Sequence, residues 1–192
     1  MSRVNRASVV QGALEILETA GSAALTIPAL ALKLKIRPPS LYNHIESIGD
    51  LKRELSLHSI RLACESREKA ASGKSRDKAV LAIIHAYRKF ASEHPALYAL
   101  SVAVPPATDH EWFDAFTESR ELWLRGLEGY KLKPLEARHV ARAFRSAVHG
   151  FVDIEVNGGW LEDTDIEESF TAMIEILLEG LHAVERALEK GA

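Results

Sequence analysis

The chain of 192 residues has one cysteine, Cys64, so it forms no internal disulfide and needs no oxidising compartment. Its place in an amphipathic helix reads as a small, partly buried side chain and not as a redox sensor. No stretch of about 18 consecutive apolar residues occurs. The amino terminus lacks a basic-then-apolar leader. The expectation is a cytoplasmic protein with no membrane partner. Glycine-rich phosphate loops, H-E-x-x-H and the G-x-S-x-G elbow are all missing, as are polybasic tails and low-complexity tracts. The eight histidines are scattered, with His94, His110 and His139 each beside a turn or helix end. Catalysis, a metal and a cofactor are therefore not expected; a small helical enzyme or metal sensor is the alternative these histidines leave open.

Strand signals are nearly absent, and helical periodicity runs almost throughout. Apolar residues make up 47% of the chain, enough for a sizeable core. The spacing predicts helices over about 6–20, 50–71, through 93, through 103, 109–127, 134–157 and 164–188, with stops at Gly21, Ser72-Gly73, His94-Pro95, Pro105-Pro106 and Gly158-Gly159. Two more short helices fall between residues 26 and 48, giving an all-α fold of roughly nine. Net charge is −3 but uneven. Residues 1–56 hold 7 basic and 5 acidic side chains, while the remainder holds 17 and 22. A mildly basic head thus precedes an acidic body.

Residues 26–45 carry the sharpest signal. Thr26 suits a helix N-cap and Pro28 its first turn. Ala29, Leu30, Ala31, Leu32 and Leu34 supply an apolar side. Pro38-Pro39 stops that run and starts another helix, which exposes Ser40, Tyr42, Asn43 and His44 while Leu41 and Ile45 turn inward. Two short helices at a tight corner, the second bearing hydroxyl, amide and imidazole groups, form the layout of a helix-turn-helix that enters the major groove. Two ordinary surface helices are the plainer alternative.

Leu41-Tyr42-Asn43-His44-Ile45, followed by Gly49-Asp50-Leu51 and preceded by Val9–Leu17, Gly21 and Leu25-Thr26, resembles the signature of the TetR family of bacterial transcriptional regulators. Arg145–Glu155, containing His149-Gly150, and Gly158-Gly159 resemble a His-Gly motif of one subgroup; some members have Trp where Arg145 stands. Lys35 occupies the turn position usually held by Gly, Ile48 replaces a phosphate-binding Lys, and Ile45 an aromatic residue.

The resemblance implies a helix-turn-helix domain over residues 1–48 and a ligand-binding and dimerisation domain over 49–192. Its partners would be a near-palindromic DNA operator, a second copy of the chain and a small-molecule effector that releases a repressor. On the matched positions, Thr26, Ser40 and Tyr42 would meet phosphates, and Arg37, Pro39, Asn43 and His44 base edges or the groove.

In the body, Tyr87, Phe90, Tyr98, Trp112, Phe113, Phe116, Trp123 and His149 are candidates for an effector site. Aromatics at helical spacing are usually plain core, and His149 either orients a ligand or donates to a carbonyl in a helix interface. The last two helices carry long apolar stripes. Such stripes more often mean core than interface, but these are wide for a small chain, and with the resemblance Phe144, Val148, Phe151, Phe170, Ile174, Leu177 and Leu181 are the expected dimer interface.

Overall fold

The computed structural model describes residues 4–161 and 165–190. Within them the chain is all-helical: α1 (Arg6–Ala20), α2 (Ile27–Leu34), α3 (Pro38–Leu41), α4 (Ile48–Ala71), α5 (Arg76–Glu93), α6 (Pro95–Ser101), α7 (His110–Arg125), α8 (Pro134–Val156) and α9 (Ile166–Lys190). A 3-10 turn, Ser22–Ala24, separates α1 from α2. The expected start of the last helix, residue 164, lies outside the described residues.

Local chemistry accounts for the helix ends. Asn5 opens α1 with a reciprocal box: Ser8 N donates to Asn5 Oδ1 at 2.8 Å, and Asn5 N donates to Ser8 Oγ at 2.9 Å. Gly21 closes α1 at φ +77°, a conformation that glycine adopts without steric cost. α4 begins at Ile48, two residues earlier than the acidic-Leu pair suggests, because Ser47 Oγ accepts from Asp50 N at 3.0 Å and so caps the first turn.

Two compact units share the chain. One comprises Met1–Ala63 and Glu93–Phe116, the other Cys64–Ser92 and Thr117–Ala192. α4 begins in the first unit, and its Leu51 and Leu55 are fully buried with Val9, Ala13, Leu30, Leu41 and Ile45 in that unit's core. The segment carrying α6, which packs on α1, also belongs to this unit. In the second unit α8 packs on α9, and the core includes Ile84, Val148, Val152, Phe170 and Leu181. Phe151 lies between Phe170 and Trp160, with ring centroids 5.1 and 4.9 Å away.

Candidate functional site

The corner in the first unit is built from its caps. Ala29 N donates to Thr26 Oγ1 at 3.3 Å, and Pro28 sits in the first turn of α2. α2 ends at Lys35, whose φ of 57° and ψ of 39° are left-handed; Ile36 N reaches back to Ala31 O at 3.0 Å. This is a helix-closing turn of the kind glycine favours, achieved here with a lysine. Gly12 of α1 lets α2 approach: a Cβ there would stand 3.2 Å from Leu34 Cδ2 and 3.3 Å from Leu30 Cδ1.

Arg37 is extended, as a residue before proline should be, and caps α3. α3 itself is only four residues long. The chain then tightens into i to i+3 bonds, Tyr42 N to Pro39 O, Asn43 N to Ser40 O and His44 N to Leu41 O. Leu41 and Ile45 are the buried anchors, 0% and 2% exposed. From that base Thr26, Arg37, Pro39, Tyr42 and Asn43 are exposed, and Ser40 and His44 half-exposed. All seven expected DNA-facing residues thus belong to one continuous corner.

Arg6 locks the corner to the linker helix. Its guanidinium donates to both Asp50 oxygens, to Glu54 Oε1 and to the His44 carbonyl at 3.2 Å. Further along α4, Arg53 holds Asp109 and Glu111, and Arg61 reaches Glu111 at 3.0 Å. Val10, Arg53, Leu57, His58 and Arg61 line a half-open cleft of about 220 Å³ beside these pairs.

The eight expected effector-site residues divide between the units. Tyr98, Trp112, Phe113 and Phe116 belong to the first, and Tyr87, Phe90, Trp123 and His149 to the second. Phe113 is 46% exposed, whereas Phe90, Tyr98 and Trp123 are buried. In the second unit Tyr87 is the hub. Its ring lies 5.8 Å from that of Trp123, and its hydroxyl shares a 3.1 Å hydrogen bond with His149 Nδ1.

Arg67, missed by the sequence reading, stands 5.7 Å over the same ring and is 2% exposed. An arginine on an otherwise charged helix reads as a solvated side chain, and no sequence signal separates the two cases. Cys64, beside Arg67, is half-buried, and burial pushes its thiol pKa up, which suits an inert side chain. Among the described residues no group of three His, Cys, Asp or Glu is placed to hold a metal ion. No described helix is long and apolar enough to cross a membrane.

The expected interface residues lie on α8 and α9. Phe144, Val148, Phe151, Phe170, Ile174 and Leu181 are buried within the single chain, and Leu177 is half-buried. Within the single chain α8 packs on α9, and α5 sets His85 and Arg88 against the Phe170 ring. The opposite face of α9 leaves Ala172, Ile176, Gly180, Ala183 and Ala187 exposed, Ile176 to 73%.

An all-helical chain with a capped two-helix corner at its head and a helical body behind defines the helix-turn-helix class of regulators. Comparison with known proteins narrows it. Residues 80–177 match the family model described as tetracyclin repressor-like, C-terminal domain. An HTH-type transcriptional regulator of Mycobacterium tuberculosis is 35% identical over 94% of this chain and 83% of its own length.

Among solved structures, BioQ with its double-stranded DNA operator aligns with a TM-score of 0.63 at 20% identity, covering 92% of this chain and 99% of its own. ActR of Streptomyces coelicolor in complex with (S)-DNPA aligns at 0.67 and 17% identity, covering 95% and 99%. These two share the fold. The chain belongs to the TetR family and is a transcriptional regulator of that type.

Proposed function

We propose that the protein is a repressor that binds a near-palindromic DNA operator as a homodimer and is released by a small molecule bound in its helical body. The observation that carries this reading is the corner itself. Two buried anchors, Leu41 and Ile45, present a row of exposed or half-exposed polar groups over residues 37–44 from a rigid, cap-locked support. Thr26, Ser40 and Tyr42 would position the head on phosphates, while Arg37, Pro39, Asn43 and His44 would read base edges. The BioQ complex supports the DNA partner and the ActR complex a small-molecule one, since both share this fold.

One short α3 reads few base pairs. A second copy, held about one helical turn (roughly 34–36 Å) away, doubles the contact and makes the site palindromic. The proposed interface is the outer face of α8 and α9. Gly150 and Gly180 sit inside these helices, where glycine costs about 1 kcal/mol against alanine. At neither does an atom beyond the local helix come within 4 Å of where a Cβ would stand. Close approach of a partner's helices offsets that cost.

Selection of bound sequences from random duplexes tests the reading. An inverted repeat with half-sites one turn apart is expected. Absence of any enriched sequence, with the protein monomeric by light scattering, would refute it.

A further inference from the structure

Lys35 ends α2 in a backbone conformation that favours glycine. Its φ of 57° and ψ of 39° are left-handed, and an L side chain there crowds the following carbonyl. Glycine closes such a turn without that cost. A strained residue at the edge of a site points to a use for its side chain, and the fold itself makes no use of this one. Lys35 is exposed, with no side-chain hydrogen bond or ion pair among the described residues. Lys33, in the last turn of α2, already meets Glu15 at 2.7 Å.

The charge pattern singles out the same place. From Thr19 to Ile45 the chain has no Asp or Glu, although its net charge is −3, and it carries the cations Lys33, Lys35 and Arg37. Glu15, Asp50 and Glu54, acids of the neighbouring helices, are engaged with Lys33 and Arg6. Lys35 and Arg37 are thus left as exposed cations on either side of the half-buried Ile36. Two residue steps separate them by no more than about 7 Å of chain. The lysine stem is long and flexible, so its ammonium serves the same rim of the corner as Arg37.

We propose that Lys35 is a DNA-contacting residue whose ammonium sits on a phosphate beside the groove that α3 enters. The inference rests on the reading of the corner as the DNA-binding element and adds a contact outside the residues assigned to it. An ammonium is a compact point charge, which suits a phosphate oxygen and reads no base. The turn tolerates its strain because this cation gains its partner only when DNA is bound.

The test titrates the full-length protein into two labelled duplexes, one of mixed sequence and one enriched by selection, over a range of salt. Anisotropy gives log K against log salt. Lys35→Gly is expected to flatten the slope by about 0.9 for each subunit on the DNA, equally on both duplexes, and to weaken binding about tenfold per subunit at about 50 mM salt. Glycine adopts the backbone of this turn freely, so the variant loses the charge and keeps the corner. Lys35→Arg is expected to keep the wild-type slope.

An unchanged slope for Lys35→Gly overturns the proposal. If affinity falls at that unchanged slope, the lysine belongs to the build of the turn and not to the DNA contact. A loss confined to the selected duplex would assign Lys35 to a base edge and also overturns it. The mixed-sequence duplex needs neither a known operator nor a dimer, so the two ideas separate. A wild-type protein that ignores both duplexes in dilute buffer removes the reading of the corner, and this contact with it. A wild-type protein that binds them, with a glycine variant of identical slope, removes this contact alone.

Discussion

Arg6 on α1 grips Asp50 at the start of α4 with two hydrogen bonds, 3.0 Å to Oδ2 and 2.7 Å to Oδ1. The same guanidinium donates to the His44 carbonyl at the end of the recognition corner. One side chain therefore ties the first helix, the corner and the linker helix together. Asp50→Asn should destabilise the head by about 1–2 kcal/mol, the usual scale for a charged hydrogen-bonded pair that is partly exposed. DNA affinity should fall with it, because the corner loses its tether. The Arg6 guanidinium also holds the Asp50 carboxyl below its ordinary value. That part of the stability is present at neutral pH and is lost as pH falls below about 4, as the carboxylate takes up its proton. A double-mutant cycle with Arg6→Met checks it; additive losses would mean that the pair is uncoupled.

Lys35 closes α2 in the left-handed region, at φ 57°. A side chain there costs about 1 kcal/mol relative to glycine. Lys35→Gly should raise the melting temperature by about 2–4 °C. A lower melting temperature would show that the lysine side chain contributes more than its backbone strain costs.

Which features were legible in the sequence follows from what periodicity encodes. α1 stops at Gly21 and α5 at His94-Pro95 as read, because these stops are local backbone chemistry. Leu41 and Ile45 are buried as read, because two apolar residues one turn apart on a short helix have one place to go. The apolar stripe of α9 was also legible, but a stripe states which face avoids water and not what covers it. Phe170 and Ile174 are covered by their own chain. The effector candidates were read as one aromatic set, although Phe113 is exposed and the set spans two units, since residue type carries no distance. Arg67 was invisible because burial of a cation is decided by neighbours remote in sequence, here Ser119 and Tyr87.

Ile48 is the first residue of α4 and 37% exposed, next to the corner. Ile48→Lys adds a cation where the family resemblance places a phosphate contact. Operator affinity should rise, and the slope of log K against log salt should steepen by about one, as one more counterion is released. Anisotropy titrations over a range of salt measure this. An unchanged slope would show that position 48 stays clear of the DNA backbone.

Glu185 on α9 is 8% exposed and accepts from Arg76 at 2.7 and 3.0 Å and from Lys131 N at 2.7 Å. These donors, the Arg76 side chain first, lower its pKa to about 2. The unfolded chain binds this proton near pH 4.3. Stability from Glu185 is therefore complete above that pH and is lost as pH falls towards the folded value. Arg76 is 45% exposed, so solvent screens the pair and leaves only part of that stability. Urea melts of the wild type and Glu185→Gln should differ at pH 6 and converge as pH approaches 2. A constant difference would assign the loss to packing.

Ile176 and Phe170 lie on opposite faces of α9, one 73% exposed and the other 1%. If the outer face joins two copies, Ile176→Glu should yield a folded monomer, because a carboxylate at a closing apolar interface strands its charge. Its single-chain core stays intact, so the circular dichroism spectrum should keep its helical content. Phe170→Ala should instead lower stability by about 3–5 kcal/mol through the cavity it leaves between His85 and Phe151, without choosing between monomer and dimer. Sedimentation velocity and thermal melts on both variants separate the roles. A stable Ile176→Glu dimer would move the interface off this face of α9, and operator binding by that variant at wild-type affinity would break the link between pairing and recognition.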